Sequence, residues 1–262
     1  MTVRLPLAAL ALAGCLGTAL AVPASRAEEL VTSLSSAEVS IASNFTGTKI
    51  VVFGQIGRDA RTIARPGPYD LAIVVEGPPQ TVTARRKGRF LGLWVNRDSE
   101  TFFAVPSFYA LATTRPIGEI GARPMLERHG IGLNYLNLPV TPDTTVAPSE
   151  RDDFRAAFLR LRRQQGHYVE RIGAVDFLTD TMFRTDVSLP ATVPIGVYTV
   201  KTYLLHEGAV LSMKEEALVV AKTGFEQLTY ALAHVYSAAY GIIAVLLALF
   251  TGWLAGVVFR RD

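Results

Sequence analysis

Cysteine is almost absent: the chain holds one, Cys15, among 262 residues. It lies in an N-terminal stretch with the pattern of a removable leader, so the mature protein would carry no thiol at all. With ordinary cleavage of that leader, a disulfide framework and thiolate chemistry are excluded. Histidine is scarce too, with four in the chain. His129, His167 and His206 stand far apart, no pair sits at i, i+4, and no His-Glu-x-x-His occurs, so zinc has no sequence-local site. An excess of charge is also missing. Lys and Arg number 26 against 23 Asp and Glu, and Arg4 and Arg26 belong to the leader, which leaves the remainder close to +1. A sequence pI of about 9.1 is therefore no argument for nucleic-acid binding. Gly-x-Ser-x-Gly is absent, and Ser107 has no base nearby in sequence. Asp143, Glu150, Asp152, Asp153, Asp176, Asp180 and Asp186 miss the spacing of a calcium loop. With no catalytic set and no metal motif, neither an enzyme nor a cofactor is the expectation.

What the chain does have is a long apolar run over residues 238–259, followed only by Arg260, Arg261 and Asp262. At 22 residues without an ionisable side chain, it is long enough to predict one C-terminal transmembrane helix. The missing intramembrane charge argues against an ion path of its own. Gly252 and Gly256 form a Gly-x-x-x-Gly spacing, which lets two helices approach closely and marks a candidate helix–helix interface. The leader, 1–27, has Arg4, then an apolar stretch, then small residues at Ser25 and Ala27, the pattern of a secretory signal. Leu12-Ala13-Gly14-Cys15 leaves lipidation open as an alternative, and an uncleaved first anchor is a third. All three export the middle of the chain. The terminal arginines then fall on the cytoplasmic side. The expected location is a bacterial inner membrane, with the bulk in the periplasm and the C-terminus cytoplasmic.

Between these ends the chain reads mainly as strands. Ile50-Val51-Val52-Phe53 and Leu71-Ala72-Ile73-Val74-Val75 are short β-branched runs bounded by Gly and Pro. Residues 81–86 and 90–95 flank Lys87-Gly88, predicting a hairpin turning there. Asn96-Arg97-Asp98-Ser99 predicts a further turn before a strand at 101–105. Tyr198, Val200, Thr202 and Leu204 alternate with their neighbours at period two, and Glu207-Gly208 predicts a turn into the next strand. Two stretches read as helix. One covers 117–129 and stops at Gly130, a good left-handed cap. The other has Phe154, Ala157, Phe158 and Leu161 at helical spacing, with Ser149 and Asp152 as a candidate capping box. The linker 138–148, with its three prolines, reads as irregular.

The fold class that follows is mainly β, as immunoglobulin-like sandwich units with a helical insertion, plus one C-terminal transmembrane helix. The expected division is 1–27 signal, 28–115 first β-rich unit, 116–170 helical insertion, 171–224 second β-rich unit, and 225–262 membrane-proximal helix, span and short tail. One sandwich interrupted by helices and two separate sandwiches both fit.

Several stretches resemble one family in particular. They are Phe45-Thr46-Gly47, Leu93-Trp94-Val95-Asn96-Arg97-Asp98, Val105-Pro106-Ser107-Phe108-Tyr109 and Arg128-His129-Gly130-Ile131-Gly132-Leu133. Pro194-Ile195-Gly196-Val197-Tyr198-Thr199-Val200 and the tail Gly252-Trp253-Leu254-Ala255-Gly256-Val257 complete them. On these the chain resembles the alphaproteobacterial putative transmembrane protein family over nearly its whole exported region and anchor. The resemblance implies a membrane protein and supplies no biochemical activity. It also implies a likeness to partners of sulfite-exporter-type permeases.

Two surfaces complete the expectation. Arg85, Arg86, Lys87 and Arg89 form the densest basic run, a solvated hairpin tip or a contact for an anion or acidic partner. Trp94, Asn96, Arg97, Phe108 and Tyr109 are candidate interaction residues, since Trp, Tyr and Arg dominate interface hot spots. The expected function is a non-enzymatic accessory or interaction subunit of a membrane complex, with an integral-membrane protein as partner. The alternative is an anion-binding periplasmic domain presenting an anionic small molecule to such a permease.

Overall fold

A computed structural model describes residues 28–42, 44–57, 68–140, 147–223 and 237–258. The leader 1–27, part of the linker (141–146), the membrane-proximal helix expected over 225–235 and the terminal arginines lie outside the described residues.

Among the described residues twelve strands form three sheets. β1 (Glu29–Leu34), β3 (Gly47–Gly57), β10 (Met182–Pro190) and β9 (Val175–Phe177) make a four-stranded sheet in the order β1-β3-β10-β9. The second sheet has six strands. Its members are β2 (Glu38–Ile41), β4 (Asp70–Glu76), β7 (Tyr109–Thr113), β8 (Tyr168–Ile172), β11 (Gly196–His206) and β12 (Ala209–Lys222), ordered β2-β12-β11-β4-β7-β8. β5 (Pro79–Phe90) and β6 (Leu93–Pro106) form a separate two-stranded sheet, with one isolated bridge from Phe102 to Val140. Strands from before and after the helical stretch therefore share both larger sheets.

β4 shows why the central sheet is buried on both faces. Leu71, Ile73 and Val75 point into a core shared with Ile50, Val52, Phe183 and Val187 of the four-stranded sheet. Ala72 and Val74 point the other way, into a second core with Leu111, Ile120, Leu126, Phe154 and Phe158. A strand covered on both sides must be apolar at every position, which is the run Leu71-Ala72-Ile73-Val74-Val75. Full burial of each of its larger side chains stabilises by about 1.5–3 kcal/mol.

The cover on the second face comes from a crossover. β7 and β8 are parallel neighbours, and parallel neighbours need a long connection. It consists of α1 (Ile117–Ile120), α2 (Arg123–His129), a 3-10 turn (Leu133–Tyr135) and α3 (Pro148–Gln164). The single helix expected over 117–129 is two, broken at Gly121, whose backbone is extended; Pro124 stands in the first turn of the second. Gly130 caps it in the left-handed conformation, φ 63°, as expected. The capping box at Ser149 does not form: α3 starts on Pro148 after Ala147, with no side-chain cap.

Two parts of the expected fold are corrected. The fold is mainly β, but it does not consist of immunoglobulin-like sandwich units. Parallel pairs stand at both edges of the six-stranded sheet, β2 with β12 and β7 with β8, and helices cover its second face. The C-terminal transmembrane helix is also overturned. α4 (Ser237–Val258) does form, but among the described residues no helix is long and apolar enough to cross a membrane. The finding leaves membrane crossing by strands untouched.

Candidate functional site

The β5–β6 hairpin is the one described sheet outside the two-sided stack. Its base is anchored: Phe102 and Val105 are buried in the second core, and the Phe102 ring lies 5.2 Å from that of Phe158 on α3. Higher up, Arg86 ties it to its surroundings. Its Nε and Nη2 donate to Asp98 Oδ2 at 3.0 and 2.8 Å, and Nη2 reaches Glu150 Oε1 at 3.1 Å. The guanidinium also sits 5.5 Å over the Phe154 ring. Hydrogen bonds to Asp98 and Glu150 raise the Arg86 pKa above its ordinary value.

The turn is not at Lys87-Gly88. Those residues pair with Asn96 and Val95 inside the ladder, just past a bulge at Arg86/Lys87. The expected turn at 96–99 is likewise ordinary β6 strand. The chain reverses at Leu91 and Gly92, with φ of 48° and 83°, a two-residue turn whose twist matches that of the flanking strands. This relocation brings an apolar end to the finger. Phe90, Leu91, Leu93 and Trp94 are 63, 88, 70 and 70% exposed. Arg85, Lys87, Arg89, Asn96 and Arg97 are exposed immediately behind them.

Of the other interaction candidates, Phe108 and Tyr109 are corrected: both are fully buried. Phe108 packs at 5.9 Å from Tyr198. The Tyr109 hydroxyl donates to Gly130 O at 2.9 Å and accepts from Gly132 N at 2.8 Å. Burial drives its pKa well above the ordinary tyrosine value. The aromatic density around them is core.

Tyr109 supports one wall of an open cleft of about 850 Å³, lined by Glu76, Glu127, Arg128, His129, Asn134, Asp152 and Arg155 among others. Two of its carboxylates are ion-paired within the fold. Glu76 pairs with Lys201 at 2.7 Å and Glu127 with Arg123 at 2.7 Å. Arg155 Nη2 donates to Leu136 O at 2.6 Å. The His129 ring stands edge-on to Tyr203, centroids 5.3 Å apart, and burial pushes the Tyr203 hydroxyl up to about 12. His167 bonds Thr192 Oγ1 at 3.1 Å, and His206 is buried 5.6 Å from Tyr69. The three histidines thus serve three different places. Among the described residues no group of three or more His, Cys, Asp or Glu could hold a metal ion.

A pH dependence follows from two of them. Burial and then Arg128 lower the His129 pKa below 6.5, and burial and then Arg162 do the same for His167. The unfolded chain then binds more protons than the folded one as pH falls through 6.5, so stability rises with pH there. Lowering pH from about 7.5 to about 5.5 is expected to lower the thermal midpoint. Replacing both by Gln should flatten that slope, and an unchanged slope in the double variant would remove the assignment.

On α4, Gly252 and Gly256 are exposed, and a Cβ built on either meets nothing within 4 Å. Every described side chain of this helix is exposed.

A family model described as "Putative transmembrane protein (Alph_Pro_TM)" matches residues 29–261. The chain belongs to that family. The match takes in both sheets of the stack, the crossover helices, the hairpin finger and α4. Comparison with curated proteins and with solved structures finds no match. Of the residues in the finger, Trp94, Asn96 and Arg97 were legible in sequence; Phe90, Leu91 and Leu93 were not, because they were assigned to a strand. The available signal was Phe-Leu-Gly-Leu-Trp, a glycine centred in large apolar residues and flanked by cations.

Proposed function

We propose that this member of the transmembrane family is a non-enzymatic accessory or interaction subunit of a membrane complex. Its β-rich body stands on the exported side of a bacterial inner membrane. The observation that carries the reading is α4, a 22-residue helix whose described side chains are almost all apolar and all exposed. Such a surface needs a cover, and contiguous apolar exposure marks an interaction site. Gly252 and Gly256 present a flank where a second helix can come close without meeting a side chain. The leader pattern at 1–27 supports the exported placement. The solute-presenting alternative has less support, since Arg86 is held by Asp98 and Glu150.

The test is in-cell crosslinking of the tagged chain in its native membrane, comparing the parent with a Gly252→Leu, Gly256→Leu variant. The expected result is one integral-membrane partner whose yield falls roughly tenfold in the variant, about 1.4 kcal/mol of helix contact. Recovery of the same partner at undiminished yield overturns the helix contact. Recovery of the chain alone overturns the subunit reading.

A further inference from the structure

We infer that the tip of the β5–β6 hairpin is a wedge that inserts into the headgroup region of an anionic bilayer. The inference deepens the proposed function and rests on its placement of the body beside a membrane.

Three observations carry it. The first is shape. Residues directly opposite in a hairpin share a face, so the pairs Arg89–Trp94 and Phe90–Leu93 stand on opposite faces, with Leu91 at the apex. A protein interface is a patch on one side; here apolar surface surrounds the end. From the Arg89–Trp94 pair to the apex is two residues, about 7 Å, within the 5–10 Å that interfacial segments bury. Trp94 at the inner end of this stretch suits the headgroup level.

The second is charge. Between Arg85 and Arg97 there is no acidic residue and there are five cations. Arg86 is bound inward, whereas Arg85, Lys87, Arg89 and Arg97 are exposed. They sit behind the apolar tip, where phosphate groups would lie once the tip is immersed. An anionic leaflet attracts such groups roughly fivefold per cation.

The third is backbone conformation. Leu91 has φ 48°, in the left-handed region where Asn, Asp and Gly are preferred and a leucine is disfavoured. The folded chain gains nothing visible from this side chain, which is 88% exposed. Strain held at an exposed apex fits a side chain whose contacts lie outside the protein.

The test uses the full chain carrying Trp253→Phe, which leaves Trp94 as the sole tryptophan. It is reconstituted in phosphatidylcholine vesicles with or without about one third phosphatidylglycerol, and Trp94 emission is followed against lipids brominated in the acyl chain. Quenching in the anionic vesicles, weakened about fivefold in docked-to-undocked ratio per cation by alanine at Arg85, Lys87, Arg89 and Arg97, is expected. Leu91→Asn should raise the thermal midpoint by about 2–4 °C yet reduce quenching, a split that a purely structural Leu91 cannot produce. Trp94 unquenched in both compositions overturns the proposal, and equal quenching in both overturns its anionic part. Shielding of Trp94 from iodide in native membranes but not in vesicles also overturns it, in favour of a protein partner. Gly252→Leu, Gly256→Leu should leave Trp94 quenching unchanged, so loss of the helix partner and loss of lipid contact are read separately.

Discussion

Phe183→Ala is expected to lower folding stability by about 3–5 kcal/mol, read as a fall in the urea midpoint with little change in slope. Phe183 is completely buried in the core between the two larger sheets. In the β3–β10 ladder it stands directly opposite Gly54, and its ring fills the space that Gly54 leaves. A Cβ on Gly54 would overlap the Val31 carbonyl oxygen of the neighbouring strand and come within 2.6 Å of the ring's Cζ. Removing the ring therefore opens a cavity over a residue with no side chain to fill it. Gly54→Ala should also destabilise, against both the Val31 carbonyl and the ring, but the double variant should cost less than the sum of the two, because the smaller residue at 183 relieves the ring's share of the clash. A strictly additive cycle would remove the ring-over-glycine account. The hairpin finger lies outside this core, so Trp94 quenching in the folded fraction should not change.

Arg115→Met is expected to lower folding stability, read as a fall in the urea midpoint, because it strands the buried carboxylate of Asp70. Asp70 opens β4 with its side chain 3% exposed. Arg115 holds it with two prongs, Nε to Oδ1 at 2.8 Å and Nη2 to Oδ2 at 2.5 Å, and Thr114 Oγ1 donates to Oδ1 at 3.0 Å. The Arg115 side chain is 45% exposed, so water can take part of its place and moderates the loss. Asp70→Asn retains an acceptor for Thr114 and removes the stranded charge, so it should cost less than Arg115→Met. If the order reverses, the buried carboxylate is not the source of the effect. The pair clamps the start of β4 to the segment after β7, where the sheet hands the chain over to the crossover helices.

How far these features could be read in advance depended on whether the signal was local. Turns made by dihedral preference were legible: Glu207-Gly208 joins β11 to β12 with φ of 49° and 80°, and Gly130 ends α2. The hairpin at 79–106 was legible as a hairpin but misplaced in register. Lys87-Gly88 looks like a turn because both residues are tolerated there, whereas the reversal uses Leu91, a residue turn chemistry disfavours. Phe108 and Tyr109 looked like surface because aromatic type alone does not distinguish a hot spot from a core. Their burial comes from Tyr198 and from the loop at 130–132, which are distant in sequence.

By itself the sequence determined the β-rich character, the helical stretch in its middle, the long apolar run near its end and the resemblance to a transmembrane family. Each of these rests on period, composition or local motif, which a chain carries whatever it folds against. Only the tertiary structure decided that early and late strands share sheets and that the helices form the crossover between parallel strands β7 and β8. Those are pairings between segments far apart in the chain. They are set by which faces can be buried together, and no local window of residues contains that information.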